Sequence, residues 1–286
     1  MTPEELSTAI EAAVVARNPR RMAEVRKALP AGYYLRAARL LSTPGKVLIA
    51  TGFPVGNSFE TDGPLGAIAL YDALERLGGE CTLACADPLA SALEPDYRVL
   101  RLKGWDHDSA RAEAQRELAR LAPDHILAIE RPGLASDGRY YNMRSQDISD
   151  RCAIFDYYVT LADCPSVAIG DGGNEIGMGA VADVVETFDI IGARTRCDEL
   201  LVADVSNWGA YGLIAMLEVL HERALLEQID HRGLLTYLSD RGSVDGVTGE
   251  NTLTEDGLPL EAGELLLATL TELVAATGVP QETNTP

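Results

Sequence analysis

Val47-Leu48-Ile49-Ala50 is an unbroken apolar run, followed by a long loop and then an apolar helical stretch from Leu65. A run without polar alternation suits a strand covered on both faces, as in a parallel sheet; a half-exposed strand would alternate. The same unit recurs at Cys81-Thr82-Leu83-Ala84, Val99-Leu100-Arg101-Leu102, His125-Ile126-Leu127-Ala128-Ile129, Val167-Ala168-Ile169 and Leu200-Leu201-Val202-Ala203. Helical stretches separate the runs, at 65–77 (stopped by Gly78-Gly79), 109–121, 154–161 and 209–224. This alternation predicts an α/β fold, an open, mainly parallel, doubly wound sheet with helices on both faces. One domain over 1–286 is expected. Residues 1–44 read as a helical extension on one side and 281–286 as a frayed tail. Thr2 and Glu5 have the spacing of a helix capping box, with Pro3 in the first turn.

Composition narrows the class. The formal charge is −20, which repels phosphate backbones and anionic lipid and argues against nucleic-acid or membrane partners. No apolar run approaches the ~20 residues that span a bilayer, and the acidic start Met1-Thr2-Pro3-Glu4-Glu5 does not read as a signal peptide. The five cysteines (Cys81, Cys85, Cys152, Cys164, Cys197) are scattered without a Cys-x-x-Cys pair, so a reducing, cytoplasmic setting is expected. Four histidines without ligand spacing make a Cys/His zinc site an unlikely expectation.

Two loops exceed what packing requires, 51–64 after the first strand and 130–150 after the fourth. Open α/β sheets bind ligands beyond the carboxyl ends of their strands, so chemistry is sought there. The fifth strand runs into Gly170-Asp171-Gly172-Gly173-Asn174-Glu175-Ile176-Gly177-Met178-Gly179. Five glycines permit tight backbone and close ligand approach, while Asp171, Asn174 and Glu175 supply side-chain chemistry. The segment 177–182 scans as G-x-G-x-x-A, but it does not open directly from a strand. No lysine-serine pair follows, so dinucleotide and P-loop mechanics lack support.

The fourth strand leads into Glu130-Arg131-Pro132-Gly133 and then Asp137-Gly138-Arg139-Tyr140-Tyr141-Asn142-Met143-Arg144. Arg131 or Arg144 could grip a carboxylate with two parallel N–H bonds, or instead form an ion pair with Glu130 or Asp137 that only fixes the loop. Asp62, in Glu60-Thr61-Asp62-Gly63-Pro64, and Asn207, in Asp204-Val205-Ser206-Asn207-Trp208-Gly209, stand where a helix cap and a ligand contact are equally good explanations. Asp62, Glu130, Asp171 and Asn207 each lie just beyond an apolar run and are expected around one cleft.

Taken in order, Glu60–Pro64, Ala128–Gly133, Asp137–Arg144, Gly170–Gly179 and Val205–Gly209 resemble the D-glutamate cyclase family, in the domain that forms the C-terminal part of the mammalian mitochondrial enzyme. Gly242-Ser243-Val244-Asp245-Gly246-Val247 and Asp256-Gly257-Leu258-Pro259 extend the likeness, which spans about 46–279. The chain resembles a stand-alone form of that domain. The resemblance implies a hydro-lyase that closes a small acidic amino acid, D-glutamate, to 5-oxo-D-proline with loss of water. Under it, Asp171 and Glu175 serve proton transfer or hold a divalent cation (Mn²⁺ or Mg²⁺), with Glu130 beside them. Arg131 or Arg144 holds the α-carboxylate, and Asn174 and Asn207 donate to the tetrahedral oxyanion. Asp62, Asp137, Asn142, Gly172 and Gly173 complete the substrate-binding set. A non-catalytic module binding an acidic or nucleotide ligand is the alternative. A Mg²⁺-dependent phosphoryl transferase fits the carboxylates less well for want of a lysine loop. A homo-oligomer is compatible with all of these.

Overall fold

The computed structural model describes residues 1–279. Six strands form one sheet: β1 (Lys46–Thr51), β2 (Glu80–Cys85), β3 (Val99–Arg101), β4 (His125–Ile129), β5 (Ser166–Gly170) and β6 (Glu199–Val202). Their order is β3-β2-β1-β4-β5-β6 and every neighbouring pair is parallel. The α/β doubly wound expectation is met. Each predicted strand is present, its ends shifted by at most one residue. The order reverses between β1 and β4, so the loops leaving these two strands diverge and open a crevice at their carboxyl ends.

Eleven helices flank the sheet among the described residues: α1 (Pro3–Ala13), α2 (Met22–Ala28), α3 (Tyr33–Leu40), α4 (Pro64–Arg76), α5 (Leu89–Leu93), α6 (His107–Leu121), α7 (Asp156–Leu161), α8 (Ala182–Val185), α9 (Ser206–His221), α10 (His231–Ser239) and α11 (Leu260–Ala275). Ala84, Ala50, Ala128 and Ala168 are register partners across four strands, a row of small side chains that keeps the sheet's centre thin. α9 is buried from Ser206 to Val219 because it lies between the sheet and a second layer made by α1, α3 and α11. An all-apolar helix surface is what such a position demands. α4 packs beside it so closely that a Cβ on Gly66 would come within 2.9 Å of Ala210 Cβ. α6 and α7 pair with each other, as right-handed crossovers toward β4 and β5 place them on the other face.

The sequence expects a helix over 209–224, but α9 starts at Ser206 and stops at His221. Its first N–H groups are capped from a different loop, and Glu222 ends it by adopting the left-handed conformation (φ 53°). The capping box of α1 is present, Glu5 N–H donating to Thr2 Oγ1 at 3.2 Å and Thr2 N–H to Glu5 Oε2 at 2.8 Å. The connection between α1 and α2 does not stay with the outer helices. Asp204 N–H donates to Val14 C=O (2.8 Å), while the Asp204 carboxylate accepts the N–H groups of Arg17 (2.7 Å) and Asn18 (3.1 Å). This lashes 14–21 across the carboxyl end of β6. No helix among the described residues is long and apolar enough to cross a membrane. The tail assigned to 281–286 lies outside the described residues.

Candidate active site

Three carboxylates meet at the crevice. Asp62 comes from the loop after β1, Glu130 from the residue after β4 and Asp171 from the residue after β5, and an oxygen of each lies within 4.8 Å of the others. All three side chains are buried. Glu130 sits in the left-handed region (φ 44°), a costly conformation for a non-glycine residue that turns the chain sharply off the strand. Gly63 leaves room for it: at φ 91° a Cβ would meet Glu130 Cβ at 2.5 Å.

Asp62 is gripped by the start of α9. Its Oδ1 accepts the N–H groups of Gly63 (2.8 Å) and Asn207 (2.7 Å), and its Oδ2 that of Ser206 (2.8 Å). Ser206 also donates its hydroxyl to Glu130 Oε2 at 2.5 Å. Asn207 returns the favour to the other helix, its Oδ1 accepting Gly63 N–H (2.8 Å) and Gly66 N–H (2.7 Å) at the start of α4. The two helices are therefore capped by each other's loops. Both positive helix ends converge beneath Asp62.

Asp171 receives Arg20 Nη2 on Oδ2 at 2.6 Å. The same nitrogen pairs with Asp256 from the C-terminal hairpin and reaches the Asp204 carbonyl at 3.3 Å. Asp171 Oδ1, Glu60 Oε1 and Asn174 Oδ1 are buried acceptors without a hydrogen-bond partner among the described residues. Such orphans are costly and uncommon in native folds, and several around one crevice point to a ligand. The crevice is a cleft of about 420 Å³ lined by Arg20, Glu60, Glu130, Arg144, Asn174 and Asp256, among others.

Burial is the main cause pushing these acids upward, and their neighbours add to it. Asp62 is raised to about 7, with Asp256 the next cause. Glu130 is raised well above the carboxylate range by burial and then by Glu175, Asp62 and Asp256. Glu60 is raised by burial and then by Glu130. Asp171 is also raised by burial, though the Arg20 guanidinium opposes the shift. Carboxyls crowded in this way cannot all ionise, so the cluster holds protons and offers both acid and base.

The remaining sequence candidates divide into rim, scaffold and neighbouring cavity. Asn174 lines the cleft and donates its amide to Tyr141 C=O at 2.8 Å. Asn142 and Arg144 form part of its rim, and the Arg144 guanidinium has no partner among the described residues. Glu175 is turned inward, Oε1 accepting Gly172 N–H and Oε2 accepting Gly173 N–H, each at 2.8 Å, so this acid folds its own loop and occupies both glycines. Asn207 spends its entire amide on scaffold, its Nδ2 donating to Glu255 Oε2 at 2.7 Å. Arg131 is buried, donating to Gly52 C=O at 3.0 Å and to Ala153 C=O, and lines an adjoining cavity of about 270 Å³. Asp137 is exposed and accepts the Tyr141 hydroxyl at 2.6 Å. Sequence reasoning assigned no role to Arg20, Glu60, Ser206, Asp256 or the rim residue Arg151. The one available signal was Arg17-Asn18-Pro19-Arg20-Arg21, a cationic knot in a strongly acidic chain.

A hard divalent cation takes carboxylate oxygens at ~2.0–2.6 Å, so ligand oxygens up to ~5 Å apart suit it. Asp62, Glu130 and Asp171 meet that spacing, and the orphaned Asp171 Oδ1 gives a cation a vacant acceptor. The residues fit such an ion.

Fold and cleft define a doubly wound α/β protein with a buried carboxylate site at the topological switch of its sheet. Residues 10–271 match the family described as D-glutamate cyclase-like, C-terminal. Over 222 residues the chain is 34% identical to the Homo sapiens protein named D-glutamate cyclase, mitochondrial, the match covering 68% of this chain and 36% of that protein. The chain belongs to the D-glutamate cyclase-like family. It spans little more than a third of that human relative. Among solved structures, an α-glucosyltransferase in complex with UDP and DNA matches with a TM-score of 0.27 and 15% identity over 55% of this chain and 37% of its own. A ligand-free aldohexose dehydrogenase from Thermoplasma acidophilum matches with a TM-score of 0.29 and 12% identity over 87% of this chain and 99% of its own. Likeness at this level says nothing about the site.

Proposed function

We propose that this protein closes D-glutamate to 5-oxo-D-proline with release of water. The observation that carries the reading is the convergence of Asp62, Glu130 and Asp171 on the cleft of a D-glutamate cyclase-like chain. The reaction forms one bond, from the amine nitrogen to the γ-carboxyl carbon, and breaks one carbon–oxygen bond. The ammonium gives up two protons, and both leave with one γ-carboxyl oxygen as water. Proton relay is therefore the main demand, and a cluster of close carboxyls that holds protons suits it. Nucleophile and electrophile belong to one short chain, so holding the substrate curled supplies much of the remaining rate.

The charges of the cleft suggest an orientation. Acids crowd its floor, and Arg144 at its rim has no partner among the described residues. The substrate's ammonium would face the floor and its α-carboxylate the planar fork of Arg144. If Asp62, Glu130 and Asp171 hold Mn²⁺ or Mg²⁺, the ion would supply Lewis-acid polarisation of the γ-carboxyl.

The test is lactam formation from D- and L-glutamate by the purified protein, after chelation and again with added Mn²⁺. Formation of 5-oxoproline from D-glutamate, with L-glutamate much slower, is expected. Calorimetric binding of D-glutamate without any lactam would replace this reading with that of a binding module.

A further inference from the structure

Among the described residues the floor of the cleft contains one cation, and it comes from outside the doubly wound core. Arg20 belongs to the connection between α1 and α2, yet its side chain lines the cleft with Glu60, Glu130 and Asp256. Three acceptors crowd one of its terminal nitrogens: Asp171 Oδ2 at 2.6 Å, the Asp204 carbonyl at 3.3 Å and Asp256. Nε and Nη1 make no hydrogen bond among the described residues and are absent from the buried atoms that lack partners. A guanidinium clamped through Nη2 still has its Nε–H and both Nη1 N–H groups to give to other acceptors. The clamp is well built. Asp204 fastens the Arg17 and Asn18 N–H groups, Arg17 lies over the Trp208 ring at 5.6 Å, and Arg21 over the Phe188 ring at 4.4 Å.

We propose that Arg20 is a catalytic residue of this site, donating from Nη1 to the γ-carboxyl oxygen that gains negative charge as the ring closes. The role rests on the cyclase reading and deepens it. When the amine nitrogen bonds to the γ-carbon, the carbon–oxygen π pair moves onto oxygen. In a cleft walled by acids that charge needs a fixed positive partner. Of the sequence's two candidates for this duty, the Asn207 amide is spent on the start of α4 and on Glu255, and the Asn174 amide donates to Tyr141 C=O. Through Nη2 Arg20 also holds Asp171, so charge stabilisation and proton relay share one guanidinium. On this account 14–21 is part of the active site, and the helices before β1 serve to deliver it.

Steady-state lactam formation by wild type, Arg20→Lys and Arg20→Ala tests the role, with a thermal melt of each. Arg20→Lys keeps the charge but cannot hold Asp171 and Asp256 with one nitrogen while donating from another, so kcat should fall ~10²-fold or more while KM moves by less than ~5-fold, the pattern of an interaction made in the transition state. Free guanidinium added to Arg20→Ala should restore part of the lost turnover, which a purely structural role would not allow. Arg20→Lys that folds and turns over within ~3-fold of wild type overturns the proposal. So does a loss of turnover that follows the melting temperature and resists guanidinium. A wild-type protein that forms no lactam overturns the cyclase reading and this role together; an active wild type beside an unimpaired Arg20→Lys overturns the role alone.

Discussion

Asp156 and Asp171 are buried to the same depth, with 2% and 1% of their surface exposed, and burial raises the pKa of both. Their surroundings differ. Asp156, at the start of α7, has three neutral donors: Leu134 N–H at 2.9 Å and the hydroxyls of Thr195 and Tyr140. Both of its oxygens are used, and it ties the loop after β4 to the chain beyond the glycine string. Asp171 has a charged partner on one oxygen, no hydrogen-bond partner on the other among the described residues, and Glu130 and Asp62 close by. A buried acid with its hydrogen bonds filled is scaffold; one left short among other acids stores electrostatic cost that a substrate or cation can relieve. The same contrast divides the glycine string internally, where Glu175 closes on Gly172 and Gly173 while Asp171, four residues earlier, faces the acid cluster.

The comparison breaks most readily at Glu130. Glu130→Gln keeps an acceptor for the Ser206 hydroxyl but removes a titrating group, and lactam turnover should fall ~10²-fold or more. Its melting temperature should hold or rise, because one of several crowded ionisable carboxyls is gone. Turnover within a few-fold of wild type would return Glu130 to the scaffold beside Asp156.

A smaller effect should appear in the pH dependence of stability. Asp62 rises from an ordinary 3.8 to about 7, and Glu255, held by Asn207 and Trp208, from 4.5 to about 8. For acids raised on folding, the folded state keeps protons that the unfolded chain releases. Stability from this source is complete below about pH 4 and is lost as pH climbs through about 7 to 8. Melts of chelated protein should fall by several degrees between pH 5 and pH 8, and Mn²⁺ should narrow the fall if it binds the ionised cluster. A melting temperature that rises over this interval would contradict the assignment.

Much of the architecture was legible because buried parallel strands announce themselves as unbroken apolar runs, as 47–50 and 125–129 do. Glu130 and Asp171 could be picked out because a residue just past a parallel strand stands at the sheet's ligand-binding edge, and Asp62 because it lies in the long loop that leaves β1 at the same edge. What escaped was tertiary. Asp62 and Asn207 each read as a cap of its own helix, whereas each caps the other's, an exchange that only the close approach of α4 and α9 makes possible. Glu175 reads as a chemical partner of Asp171 because the two are neighbours in sequence; nothing in the string of letters says that its oxygens fold back on Gly172 and Gly173. Arg20 lies 151 residues from Asp171 along the chain, and no periodicity links them.

The most direct test sets Asp171→Asn beside Asp156→Asn, measuring lactam turnover and thermal melting on both, at a temperature well below either melt. Asparagine at 156 turns an acceptor into a donor facing other donors, which should cost ~1–3 kcal/mol of stability while kcat stays within ~3-fold of wild type. Asparagine at 171 should leave the melt nearly unchanged and lower kcat by ~10²-fold or more. The reverse pattern, with Asp171→Asn active but unstable and Asp156→Asn stable but inactive, would contradict the division of the molecule into scaffold acids and working acids.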